Sequence, residues 1–144
     1  MHATIAVVIV AVGALAAQTE RTTWSAVYSE AQAKRGEALY AERCASCHAP
    51  DLSGIDQAPP LTGKDFNADW NDLAVNDLFE RIRTTMPADN PGMLERQQVA
   101  DVTAFILSKD GFPPGDGDAG KELEQGSSMH GYTACEECYN RVSW

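Results

Sequence analysis

Cys44-Ala45-Ser46-Cys47-His48 is the stretch of this chain whose residue types and spacing could do chemistry. Two thiols three positions apart near a helix end can reach one edge of a single partner molecule. This C-x-x-C-H pattern is how haem is attached covalently. The thiols form thioethers with the two vinyl groups of one porphyrin edge, and the adjacent histidine lies under the ring and ligates iron. Two other chemistries use the same residues. A thioredoxin-like dithiol requires an alternating strand and helix context that the surrounding sequence lacks. A zinc site would have to recruit its remaining ligands from distant parts of the chain.

Haem iron bound by one histidine has a second axial position to account for. Met86, in Thr84-Thr85-Met86-Pro87, is the candidate. A thioether is soft, neutral and electron-accepting, so it favours ferrous iron and raises the reduction potential. A lone methionine is most often core filler, but a place at a helix end before proline favours a ligand. Met93 is the rival seven residues on, and Met129 stands in a region of different composition.

Three helical patterns must position these groups. Residues 29–46 contain no proline, Ser29 is suited to cap the start, and Ala33, Gly36, Tyr40 and Cys44 share a face. Gly36 in mid-helix costs about 1 kcal/mol relative to alanine, which points to a close approach there. The second pattern runs over 71–85, with Leu73, Leu78, Phe79 and Ile82 as its apolar stripe. The third runs over 94–109, with Val99, Val102, Phe105 and Ile106 on one side and Gln98 and Asp101 opposite. Gly111 and Pro113-Pro114 stop it. Residues 49–69 are rich in Pro, Gly and Asp and read as an ordered loop, which in a small domain needs something to wrap around. Three helices and such a loop make a thin core that a large apolar cofactor would complete.

On these motifs, residues 29–112 resemble the class I cytochrome c family, in particular its short bacterial periplasmic members. Gly36-Glu37-Ala38-Leu39-Tyr40 looks like the family's first-helix Gly-x-x-x-aromatic element, and Val102 and Phe105 look like the last-helix residues packing across it. Pro59-Pro60-Leu61-Thr62-Gly63 resembles its Pro-x-Leu-x-Gly loop. The resemblance implies an all-α fold, three main helices and a long loop wrapped around one covalently attached haem c. It implies Cys44 and Cys47 as attachment points, His48 and Met86 as iron ligands, and Pro59 and Leu61 against the cofactor. The carbonyl of Pro59 would accept the second ring N–H of His48, fixing the imidazole tautomer. Trp70, Arg81 and Arg83 lie where partners of the haem propionates could sit.

Composition narrows the remainder. The 144 residues carry 11 Lys+Arg against 21 Asp+Glu, a net charge of −10, so binding of nucleic acid through phosphate contacts is excluded. The acidic surface predicts a redox partner with a basic patch. The family resemblance suggests dehydrogenases, including quinoprotein alcohol dehydrogenases, as donors, with terminal oxidases or other cytochromes as acceptors. Residues 3–17 are apolar and uncharged, too short to span a membrane and suited to a secretory leader cleaved near Ala16 or Ala17. Only if uncleaved would this segment hold the protein at a membrane. The expected organisation is leader 1–17, cytochrome domain 24–113 and tail 114–144. The tail's own pair, Cys135 and Cys138, is followed by Tyr139 rather than histidine. A local disulfide is expected there rather than a second haem. The function expected is one-electron carriage without acid–base catalysis. A five-coordinate haem protein that binds a gas or turns over peroxide is the alternative.

Overall fold

The computed structural model describes residues 21–116. The expected leader and the tail residues Met129, His130, Cys135 and Cys138 lie outside the described residues. Five helices follow in order: α1 (Glu30–Arg43), α2 (Ala45–His48), α3 (Gly63–Trp70), α4 (Val75–Thr85) and α5 (Arg96–Lys109). Among the described residues there is no β-strand, only isolated bridges between Thr22 and Ala74 and between Ile55 and Ala58.

The two 14-residue helices, α1 and α5, begin where the sequence supplies a cap. The Ser29 hydroxyl accepts the Gln32 backbone N–H at 3.4 Å, and the Gln32 side chain accepts the Ser29 N–H at 3.1 Å. This reciprocal box satisfies two donors that a helix start leaves open. Glu95 and Gln98 do the same for α5. The end of α5 is a Schellman turn: Gly111 takes φ +81°, the Phe112 N–H bonds the Leu107 carbonyl at 3.1 Å, and the Gly111 N–H bonds Ser108.

The expected all-α architecture is present, with four local corrections. The single helix expected over 29–46 is two helices. At Cys44 the backbone swings to φ −120°, which ends α1 and starts the short α2. The stretch expected as loop contains α3, an eight-residue helix that buries Phe66 alone. So short an apolar signal is masked by the polar residues around it. Helix α4 starts at Val75 rather than at residue 71, leaving Leu73 45% exposed. Before it the chain turns, with Asp72 at φ +61°, and is tied to the start of the domain: the Thr23 N–H bonds the Leu73 carbonyl and the Val75 N–H bonds the Arg21 carbonyl. Asp101, expected opposite the apolar side of α5, is buried at 7% exposure.

The frame is the crossing of α1 and α5. A Cβ on Gly36 would lie 1.8 Å from the Asp101 carbonyl oxygen and 2.9 Å from the Phe105 Cβ. The helices are thus close enough for backbone to face backbone. Phe105 is the expected partner of Gly36, and Asp101 stands closer still. The Asp101 carboxylate accepts in this seam from Arg35, whose Nε and guanidinium nitrogen donate at 2.8 and 2.7 Å, and from Gln97 at 3.0 Å. Arg35→Ala should cost about 1–2 kcal/mol, because a buried acceptor loses its charged donors but keeps Gln97. Urea unfolding checks this, with the exposed Lys34→Ala expected to move stability by less than ~0.5 kcal/mol. Helix α4 lays Val75, Leu78, Phe79 and Ile82 into the same core, with Phe79 fully buried.

Candidate functional site

The site is built on the bend between α1 and α2. The Cys44 N–H still bonds the Tyr40 carbonyl at 2.9 Å, while the Cys44 carbonyl accepts from both Cys47 (3.1 Å) and His48 (2.9 Å). This one-turn clamp brings Cys44, Cys47 and His48 onto a single turn of chain. The two cysteines are unpaired thiols; Cys44 is half-buried against the core and Cys47 is exposed. Burial, and then the neighbouring Cys47, push the Cys44 thiol up to about 11, so it is neutral at physiological pH.

His48 is buried, at 8% exposure, and its Nδ1 lies 2.9 Å from the Pro59 carbonyl oxygen. A carbonyl can only accept, so Nδ1 is the donor, and in the neutral imidazole this tautomer leaves the Nε2 lone pair for a metal. The intervening loop is folded to deliver that carbonyl. The Gly54 N–H bonds the His48 carbonyl at 3.0 Å, and the Leu61 N–H bonds the Leu52 carbonyl at 2.8 Å. Gly54 takes φ +79°, and a Cβ there would strike the Ala58 carbonyl.

Leu61, Trp70 and Met86 are each partly buried and packed against the hydrophobic core, as are Cys44 and Ala45. Met86 caps the end of α4, its N–H bonded to the Ile82 carbonyl, whereas Met93 is 40% exposed. Burial thus separates the two candidate thioethers. Trp70 packs beside Phe66 at 6.4 Å between ring centroids. Of the two arginines considered for propionates, Arg83 is engaged by Glu80 at 2.6 Å, and Arg81 is half-buried on α4. A shallow cleft near Tyr28, Glu30 and Phe112 lies at the opposite end of α1 from Cys44 and contains none of these residues.

One residue of the site was read from sequence only as a packing aromatic. The Tyr40 hydroxyl donates to the Ala49 carbonyl at 2.6 Å and approaches the His48 carbonyl at 3.3 Å. Its place four residues before Cys44, one helical turn away on the same face, was the available signal. Burial, and then the neighbouring Cys44 and Asp51, push its phenol up to about 12.

The family model described as cytochrome c oxidase, cbb3-type, subunit III matches residues 31–106, more than half of the chain. The chain belongs to this family of c-type cytochromes. Its cofactor is therefore haem c, covalently bound, and its role is electron transfer. The residues present fit that group: two unpaired thiols one turn apart, an imidazole with Nε2 free, a half-buried thioether and partly exposed apolar side chains. The cytochrome is 26% identical over 105 residues to cytochrome c-551 of Bacillus subtilis (strain 168), covering 73% of this chain and 88% of that one. It is 34% identical over 80 residues to a thiosulfate dehydrogenase of Stutzerimonas stutzeri (strain A1501). That match covers 51% of this chain and spans only 26% of the relative's length. A solved structure of the sulfane dehydrogenase SoxCD from Paracoccus pantotrophus aligns with a TM-score of 0.48 and 18% identity, covering 85% of this chain and 69% of that one. Among the described residues of the cytochrome, no helix is long and apolar enough to cross a membrane.

Proposed function

We propose that the protein is an exported mono-haem carrier in which Cys44 and Cys47 hold the haem and His48 and Met86 ligate its iron. The observation that carries this reading is the contact of His48 Nδ1 with the Pro59 carbonyl at 2.9 Å, which leaves Nε2 as a donor beside two unpaired thiols. Haem supplies one-electron exchange between ferric and ferrous iron when bound. The chain's residues do the rest. Pro59 fixes the imidazole tautomer and strengthens His48 as a donor. Leu61, Trp70 and the stem of Met86 exclude water, which limits reorganisation when charge changes. The Met86 sulfur favours the ferrous state. His48 and Met86 would together hold the iron, which would supply the electron exchange, and no side chain is required as acid or base.

Residues 1–17 act as the export leader in this reading, and 24–113 form the haem domain. A dehydrogenase donates electrons, and an oxidase or another cytochrome accepts them, each docking through a basic patch that complements the −10 charge. A relative named for a dehydrogenase supports a donor of that class. The test is a denatured mass and an optical spectrum on protein matured in a host that attaches haem c. One haem should persist through denaturation, the ferric form should show the weak red band of thioether ligation, and the reduced form should not take up carbon monoxide. Ready carbon monoxide binding with no red band would establish the five-coordinate alternative instead.

A further inference from the structure

Ala49 follows His48 directly and takes φ +63° with ψ 153°, a region that in practice belongs to glycine. A residue persists there only when its surroundings over-determine it, at a cost of about 1–3 kcal/mol. The surroundings in question are few. The Ala49 carbonyl accepts the Tyr40 hydroxyl at 2.6 Å and the Leu52 N–H at 3.2 Å, and the preceding His48 carbonyl takes the Gly54 N–H. Ala49 is itself buried, so its carbonyl cannot turn to water instead. Tyr40 is anchored independently of this turn. It is 1% exposed, and its ring lies 5.1 Å from that of Phe105 in the α1–α5 seam. One hydroxyl therefore ties the buried α1–α5 seam to the residue after the imidazole. The same exit at Ala49 starts the loop that returns the Pro59 carbonyl to His48 Nδ1.

We propose that Tyr40 is a positioning residue for His48: its hydroxyl locks the strained exit at Ala49 and thereby sets the orientation at which the imidazole faces the iron. The inference rests on His48 being the iron ligand. Tyr40→Phe keeps the ring in the seam and removes only the tie. Ala49→Gly removes the strain, because glycine adopts this conformation without a Cβ penalty.

The experiment compares haem-loaded wild type, Tyr40→Phe, Ala49→Gly and the double variant by electron paramagnetic resonance of the ferric form and by amide exchange. Tyr40→Phe should shift and broaden the low-spin signal, since the imidazole plane is no longer held in one orientation. The Leu52 and Gly54 amides should exchange about tenfold faster, the loss of one buried hydrogen bond. Ala49→Gly alone should resemble wild type, and the double variant should return most of the signal towards it. A Tyr40→Phe protein that is less stable but has an unshifted signal would reduce Tyr40 to a packing residue and overturn the proposal. So would a double variant that keeps the full shift. His48→Ala is the separate control: a spectrum it leaves unaltered would remove the ligand assignment, and the proposal with it, whatever Tyr40→Phe does.

Discussion

Gly36→Ala should destabilise the folded protein by about 3 kcal/mol or more, at the upper end of what overpacking costs. Two effects oppose each other at this position. Alanine is the better helix former by about 1 kcal/mol, and on an exposed helix face it would stabilise. Here the added Cβ falls 1.8 Å from the Asp101 carbonyl oxygen, and a backbone atom cannot rotate away as a side chain can. Only separation of α1 from α5 relieves the clash. That separation disturbs the buried Asp101 pair with Arg35 and loosens the ring of Tyr40 against Phe105. The clash therefore wins. Denaturant unfolding of the haem-loaded protein measures the effect, with Ala38→Gly as the contrast. Ala38 is exposed on the same helix, and its replacement should lose only the propensity difference of about 1 kcal/mol. A neutral or stabilising Gly36→Ala would mean the helices do not cross at backbone contact.

In the proposed arrangement, Met86→Ala should leave haem attached through Cys44 and Cys47 and take the thioether away from the iron. The ferric protein should lose its weak red band, and the reduced protein should bind carbon monoxide. The reduction potential should fall by roughly 0.1 V or more, within the ~0.8 V over which axial ligands tune haem. The sign follows from the thioether's preference for ferrous iron: without it the ferric state gains relative stability. Met93→Ala should change none of these, because Met93 is 40% exposed whereas Met86 is packed against the core at the end of α4. A Met86→Ala protein that retains the band while Met93→Ala loses it would transfer the ligand to Met93.

The site was more legible than the chain that carries it. C-x-x-C-H announces itself because its chemistry needs five adjacent residues, and adjacency survives in a sequence. The caps of α1 and the stop of α5 were legible for the same reason, since Ser29 acts on Gln32 and Gly111 acts within its own turn. Helix α3 was not, since a single buried Phe66 in eight residues leaves too little periodicity to stand out. The late start of α4 was hidden because its cause is remote: residues 21–23 bond the chain at 73–75 and hold it out of the helix.

Sequence alone thus determined the cofactor chemistry, the helical class and the acidic surface, all properties of residue type and short spacing. Tertiary structure alone decided two contacts that neither the residue pattern nor the resemblance implied. It buried Asp101 against Arg35, 66 positions away, and set the Tyr40 hydroxyl on Ala49, whereas the Pro59 carbonyl at His48 is a contact that the resemblance had already implied. The reason is physical. A hydrogen bond or a backbone contact requires placement within a few tenths of an ångström, and that placement comes from how α1 and α5 cross and how the loop folds back. Neither is written into any short run of residues.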